Sequence, residues 1–229
     1  MFRLLLHPSS QGTFVDVGAH HPIDGSNTFN LYLRGWKGVT IDPNPTFEPL
    51  YRRLRPGQRH LVEGVSAIAA TLTYFEFQDS RHNTLSADRA RDLAALGVEA
   101  IAQRQIACRP LRSIVEECLP RRQIDLLAVD CEGLDQQVLE SLDLAAHRPT
   151  TILIEDYDRF TSVRDGEGSS ALHDFMVRNG YYPIAQLAFS ALYVARDWRD
   201  LFRLSGAFSE DRVQGGILPR AAGAAATGS

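Results

Sequence analysis

Short apolar runs of strand length alternate with helical segments in the first part of the chain. The pattern predicts strands at 13–17, 38–41 and 60–65, with helices at 27–34 and 47–54 between them. Strands that alternate with helices are typical of a parallel sheet, because a parallel connection needs a long crossover. This part of the chain is therefore predicted to be α/β.

The alternation of strands and helices stops near residue 70 and resumes near residue 111. Residues 71–77 alternate in polarity and predict a half-exposed strand, whereas polar and then Ala/Leu/Arg-rich residues at 79–106 predict an insertion with a loop and a helix. Such an insertion would act as a lid over a ligand. The later elements are predicted at 111–118 (helix), 125–130 (strand), 134–142 (helix), 151–155 (strand) and 170–179 (helix).

Two final apolar runs, 181–187 and 191–195, are close enough to predict an antiparallel hairpin. Five parallel strands with this hairpin indicate a doubly wound, mostly parallel seven-stranded sheet with an antiparallel last strand. That is the class I methyltransferase (Rossmann-like) type of α/β fold. We predict one domain over residues 1–205, followed by a flexible Gly/Ala-rich tail at 206–229.

Composition narrows the class of protein. The 229 residues are 44% hydrophobic and carry a net charge of −4, so nucleic acid is not an expected partner. The apolar run within residues 1–8 is too short for a signal peptide or a membrane span, which predicts a cytoplasmic protein. Three cysteines without C-x-x-C spacing argue against disulfides and structural zinc. The sequence leaves open whether the protein forms a homo-oligomer.

Acids at two strand ends indicate a nucleoside site. Asp16-x-Gly18 spans the end of the first predicted strand, and Asp42 directly follows the second. Glycine lets the backbone approach a ligand, and the second carboxylate can accept ribose hydroxyls. An adenosine-type cofactor is therefore predicted, with NAD still open on these residues alone. The alternative is that Asp16 only caps a turn.

Later strands also end in acids. Asp130 ends the strand at 125–130 and Glu132 lies just after it, and the carboxyl ends of parallel strands meet at the ligand crevice. We predict a functional role for both, with a salt bridge as the alternative. Glu155 and Asp156 follow the next strand, and the four acids together could supply oxygen ligands for Mg²⁺.

Four ordered blocks resemble the FkbM family of S-adenosylmethionine-dependent methyltransferases. They are residues 15–19, 26–28, 35–45 and 124–135, and the resemblance extends from about residue 12 to residue 196. It implies S-adenosylmethionine as the cofactor and S-adenosylhomocysteine as the product. The implied reaction is O-methylation of a hydroxyl on a sugar or a secondary-metabolite small molecule, and the resemblance requires no metal.

The resemblance also implies cofactor contacts. Asp16, Gly18 and Ala19 would lie beside the methionine part, and Asp42 would bind the ribose. Pro22 stands where many family members carry glycine. The further implied contacts are Ser26, Asn27 and Thr28 at the methionine carboxylate, Pro43 and Asn44 at the adenine edge, Val65 and Ser66 near the adenine, and Asp130.

Methyl transfer is an in-line displacement, which requires alignment of the acceptor and removal of its proton. Asp130 and Glu132 are the first candidates for the general base. His21 and His82 are the second, because imidazole titrates near neutrality. Both histidines could instead be ordinary polar residues.

Two other functions remain open at this point. Residues 156–158 read Asp-Tyr-Asp, an Asp-x-Asp pattern that nucleotide-sugar glycosyltransferases use to hold a metal and the sugar nucleotide. A non-catalytic module that keeps the cofactor pocket is the second alternative, since Pro22 departs from the usual loop.

Overall fold

A computed structural model describes residues 11–120, 122–159, 161, 169–187 and 189–197. The predicted tail at 206–229 and the apolar run at 1–8 lie outside the described residues. Within the described part of the chain, no helix is long and apolar enough to cross a membrane.

The described residues form ten strands in two sheets. The strands are β1 Thr13–Val17, β2 Lys37–Ile41, β3 Arg59–Leu61, β4 Gly64–Val65, β5 Ala70–Glu76, β6 Ala102–Arg109, β7 Leu126–Val129, β8 Thr151–Glu155, β9 Tyr181–Leu187 and β10 Ser190–Ala195. The main sheet has seven strands in the order β3-β2-β1-β7-β8-β10-β9. Strand β10 pairs antiparallel with both β8 and β9, and the other main-sheet pairs are parallel. The predicted fold class and closing hairpin are confirmed.

Six α-helices lie entirely within the described residues. They are α1 Phe29–Leu33, α2 Glu48–Leu54, α3 Ala87–Ala95, α4 Leu111–Cys118, α5 Asp135–Glu140 and α6 Ala171–Arg178. Helix α4 has the predicted bounds, while α1 begins two residues later than predicted. Ser26 still accepts hydrogen bonds from the first backbone N–H groups of this segment, those of Thr28 and Phe29, at 3.2 Å each.

Helices cover both faces of the main sheet, so its central strands are buried throughout. All five residues of β1 and all four of β7 are buried. Val15 and Val17 belong to a large apolar cluster that includes side chains of α4, α5 and α6. The alternate residue Phe14 points to the opposite face and packs in a second cluster with Trp36. This two-sided burial explains the continuous apolar runs that predicted the strands.

The second sheet corrects two predictions. Its order is β4-β6-β5, with β6 antiparallel to β5 and parallel to β4. The strand predicted at 60–65 divides between the two sheets, and the predicted insertion at 79–106 ends inside a strand. Residues 102–105 of β6 are exposed and show no alternation of apolar and polar residues. This part of the strand is therefore defined by its hydrogen bonds to β5. Helix α3 lies inside the insertion as expected.

Candidate functional site

A cavity of about 440 Å³ opens at the carboxyl ends of β1, β2 and β7. Successive strands extend from β1 toward β3 on one side and from β7 toward β8 on the other, so β1 and β7 flank the point where strand order reverses. Ligands of open α/β sheets bind outside this point. The wall includes Gly18, Ala19 and His20 after β1, and Asp42 and Pro43 after β2.

Gly18 brings the strand ends together. Its φ is +72°, and a Cβ atom added there would lie 1.7 Å from the carbonyl oxygen of Asp130. The backbone N–H groups of Gly18 and Ala19 both donate to the carbonyl of Ile41, at 2.9 and 3.1 Å. The turn after β1 is therefore in direct backbone contact with the ends of β2 and β7, and glycine is required by both space and conformation.

Asp42 places a buried carboxylate in the cavity wall. The residue is 5% exposed. Its Oδ2 accepts from the backbone N–H of His20 and its Oδ1 from that of Asn44, both at 2.8 Å. Burial raises the pKa of Asp42 to about 6, against the lowering effect of these two hydrogen bonds. A carboxylate has about four lone-pair positions, so two remain for ligand hydroxyls.

Asp16 lies behind the turn and is not among the residues that line the cavity. It is 1% exposed, and its Oδ2 accepts the hydroxyl of Thr28 at 2.5 Å. Burial raises the pKa of Asp16 to about 6, while the Thr28 hydrogen bond and the charge of Arg55 act to lower it. The geometry gives Asp16 a supporting contact to the loop that leads into α1.

The loop at 20–28 divides its side chains between two environments. Asn27 lines the cavity, together with Asp24 and Gly25. Ser26 and Thr28 instead accept hydrogen bonds from Arg55. Of the three residues predicted at the methionine carboxylate, one is therefore in the wall.

On the predicted adenine side, Pro43 and Val65 line the cavity. Asn44 and Ser66 do not. The Asn44 Oδ1 accepts from the backbone of Thr46 at 3.1 Å, and the Ser66 hydroxyl donates to a carbonyl two residues later at 2.6 Å. Three further wall residues on this side were not predicted; they are Glu63, Gly64 and Tyr74. From the insertion, which was predicted to cover a ligand without any single residue named except His82, the wall includes Ser80, Arg81, Asn83, Thr84 and Leu85.

Three carboxylates gather at the ends of β7 and β8. Asp130, Glu132 and Glu155 each offer one oxygen, and these oxygens lie within 4.8 Å of one another. Burial and the neighbouring acids, Glu155 first, raise the pKa of Asp130 to about 8. Burial and Glu132 raise the pKa of Glu155 to about 7, opposed by Arg89. The spacing suits either a shared proton or a divalent cation.

Glu132 connects this cluster to the insertion. Its carboxylate accepts from Arg89 of α3 at 3.1 Å, and its backbone carbonyl accepts the hydroxyl of Thr84 at 2.9 Å. Its φ is +48°, an uncommon conformation for a residue with a side chain. Glu132 therefore forms the predicted salt bridge and also lies at the predicted site.

The two predicted histidines do not line the cavity. The Nδ1 of His21 accepts from the backbone N–H groups of Ile23 and Asp24, at 3.2 and 3.0 Å, and so stabilises a turn. The Nδ1 of His82 is buried, with no hydrogen-bond partner among the described residues. His20 lines the cavity instead, with its Nε2 2.8 Å from the hydroxyl of Ser80.

The Asp-x-Asp pattern at 156–158 is not part of the cavity wall. Asp156 is 4% exposed, and its carboxylate accepts from the backbone N–H of Arg159 at 2.9 Å and the hydroxyl of Ser170 at 2.7 Å. These contacts give Asp156 a structural role, so the arrangement does not favour the glycosyltransferase alternative.

A family model described as the methyltransferase FkbM domain matches residues 16–183, well over half of the chain. The chain belongs to the FkbM methyltransferase domain family. This confirms the family that the sequence blocks resemble. The match includes the Gly18 turn, Asp42 and the acidic cluster, so the cavity lies within the FkbM domain.

Among solved structures, a methyltransferase FkbM from Methylobacillus flagellatus KT is similar to this chain. The identity is 16% and the TM-score 0.49, over 80% of this chain and 43% of that one. This FkbM-family chain therefore spans less than half the length of that relative. A search of curated proteins found no match.

Proposed function

We propose that this FkbM-family chain is an S-adenosylmethionine-dependent methyltransferase that acts on a hydroxyl group of a small molecule. The observation that carries the proposal is the buried carboxylate of Asp42 in the wall of a cavity at the switch point of the sheet. Backbone N–H groups fix this carboxylate on one side, and its free lone pairs suit the two hydroxyls of a ribose.

The rest of the wall suits the other parts of the cofactor. Pro43 and Val65 offer apolar surface beside Asp42, which fits an adenine ring. Asn27 and the backbone around Gly18 lie after β1 and in the following loop, where polar groups fit an amino-acid end. When bound there, S-adenosylmethionine would supply an electrophilic methyl group.

The acidic cluster supports proton removal from the acceptor. Asp130 lines the cavity, and its raised pKa of about 8 makes it a stronger base than an ordinary carboxylate. Glu132 also lines the cavity, but its carboxylate is already paired with Arg89, so we assign the base role to Asp130 first. The acceptor oxygen would donate its proton to Asp130 as it attacks the methyl group.

The wall on the insertion side is polar, which favours a hydroxylated acceptor. Ser80, Arg81 and Asn83 offer hydroxyl, guanidinium and amide groups there. A sugar or another polyol can exchange hydrogen bonds with all three. An assay of S-adenosylhomocysteine release against panels of sugars, phenols and amines tests both the acceptor class and the preference for oxygen. Release with amines alone would contradict O-methylation.

Cofactor identity is tested by calorimetric titration with S-adenosylmethionine, S-adenosylhomocysteine, NAD and a UDP-sugar, each with and without Mg²⁺ or Mn²⁺. We expect binding of the two adenosylated ligands and not of the UDP-sugar. No binding of either adenosylated ligand would overturn the proposal. Binding without any turnover across the acceptor panels would favour the non-catalytic alternative.

Replacement of Asp42 by alanine should weaken S-adenosylhomocysteine binding by about 1–3 kcal/mol, because a buried carboxylate that accepts ribose hydroxyls is lost. Calorimetry measures the change, and circular dichroism checks the fold. Asp88→Ala is the matched control, since Asp88 is an exposed acid of α3 that does not line the cavity. Equal affinity in the wild type and Asp42→Ala would remove Asp42 from the cofactor site.

A further inference from the structure

Arg55 is a fully buried arginine at the C-terminal end of α2. It is 0% exposed, whereas the neighbouring Arg52 of the same helix has a side chain that is 77% exposed. An arginine is seldom fully buried unless its donors are satisfied by specific partners. The partners of Arg55 therefore indicate what the buried charge does.

All the hydrogen bonds found for the Arg55 side chain go to one loop. Its Nε donates to the carbonyl of Pro22 at 2.6 Å, its Nη1 to the hydroxyl of Thr28 at 3.1 Å, and its Nη2 to the hydroxyl of Ser26. The three acceptors span residues 22–28. One rigid guanidinium group therefore sets the shape of the whole loop from behind.

Aromatic rings enclose the same guanidinium group. Its central carbon lies 5.4 Å from the ring centre of Phe29, 5.8 Å from that of Tyr32 and 5.2 Å from that of Tyr51. Tyr51 also donates its hydroxyl to the carbonyl of Ala19 at 3.2 Å. These contacts hold Arg55 in one place and exclude water from it.

The hydrogen bonds of Arg55 determine which side chains of the loop face the cavity. Ser26 and Thr28 turn toward Arg55, and the residue between them, Asn27, turns into the cavity wall. Thr28 also donates to Asp16, so the buried cation and the buried carboxylate act on the loop through one hydroxyl. A change at Arg55 would therefore alter the loop before it altered the sheet.

We propose that Arg55 is a positioning residue that holds the loop at 20–28 in the form that binds the amino-acid end of the cofactor. This inference rests on the proposed function. Asp42 lies at the end of β2, where the ribose is assigned, and the loop follows β1 on the other side of Gly18. The amino-acid end is therefore the part of the ligand that depends on Asn27 and on the loop backbone.

Two adenosyl ligands separate this role from a general structural one. S-adenosylhomocysteine carries the amino-acid end, and 5′-methylthioadenosine lacks it. We expect Arg55→Met to weaken S-adenosylhomocysteine binding by about tenfold or more and to change 5′-methylthioadenosine binding by less than about threefold. Arg55→Lys should lie between, because lysine keeps the charge but not the fork of donors. Arg52→Met, the exposed arginine of α2, is the control and should change neither affinity.

A second variant covers the case in which Arg55→Met does not fold. Thr28→Val removes the hydroxyl that joins Arg55 to Asp16 with little change in shape, and it should show the same selective loss. Equal weakening of both ligands in the folded variants would overturn the positioning role. Equal affinity of the wild type for the two ligands would also overturn it while keeping the cofactor site. Binding of neither ligand by the wild type would instead overturn the proposed function.

Discussion

Gly18→Ala is expected to lose about 2–5 kcal/mol of folding stability. The added Cβ would lie 1.7 Å from the carbonyl oxygen of Asp130, and the backbone at Gly18 has a φ of +72°. The first effect forces β1 and β7 apart at their carboxyl ends, and the second strains any residue with a side chain. Urea denaturation followed by circular dichroism measures the loss.

Gly97→Ala separates the two contributions. Gly97 has a similar φ of +82°, but a Cβ atom there meets nothing within 4 Å. This control should lose only the conformational part, about 1–2 kcal/mol. Gly18→Ala should also abolish cofactor binding, because the displaced turn forms the floor of the cavity. If Gly18→Ala unfolds no more easily than Gly97→Ala, the close contact with Asp130 is wrong.

The main sheet could be predicted because burial on both faces leaves a strong signal. Strand β8 has the predicted bounds, since its apolar run ends at the acidic residue Glu155. Strand β1 is apolar except for Thr13 and Asp16, and Asp16 is tolerated inside because Thr28 satisfies it. Strands that are held by burial in the core therefore carry an apolar pattern that the sequence shows directly.

The second sheet could not be predicted in the same way. The first residues of β6 are exposed, so nothing in their polarity distinguishes a strand from a polar loop. Pairing with β5 is a long-range interaction whose partner the local pattern does not specify. The same holds for Gly64 and Val65, which follow β3 along the chain but pair with β6 in the other sheet.

Strand-end reasoning predicted the parts of the site that the sheet itself positions. Asp42 and Asp130 line the cavity because carboxyl ends of neighbouring parallel strands meet there. Residues contributed by β5 and the insertion, such as Tyr74 and Ser80, depend on tertiary packing. Arg55 had one usable signal in the sequence: it follows the aromatic Tyr51 by four residues, the spacing that brings two side chains together along a helix.

Asp130→Asn is expected to lower kcat by about 10²–10⁴, the usual contribution of a general base, with cofactor affinity changed by less than about threefold. The amide has the shape of the carboxyl group but cannot accept the proton of the acceptor. Steady-state release of S-adenosylhomocysteine measures kcat, and calorimetry measures the affinity. Glu140→Gln, an exposed acid of α5, is the matched control and should retain full activity. Full turnover of Asp130→Asn would exclude Asp130 as the base.

The pH dependence of activity is a second, independent test of the role of Asp130. With a pKa of about 8, wild-type kcat/KM should rise with pH and level off above pH 8. Glu155→Gln removes the neighbouring acid that raises this pKa most, so the rise should move to lower pH.

The pH dependence of folding stability has the opposite sign. Folding favours protonated Asp130, so the contribution of Asp130 to the free energy of unfolding is complete below about pH 4 and is lost as pH rises through 8. The melting temperature of Asp130→Asn relative to the wild type should therefore increase from pH 5 to pH 9. A constant difference across that range would show that Asp130 titrates as an ordinary exposed carboxyl group.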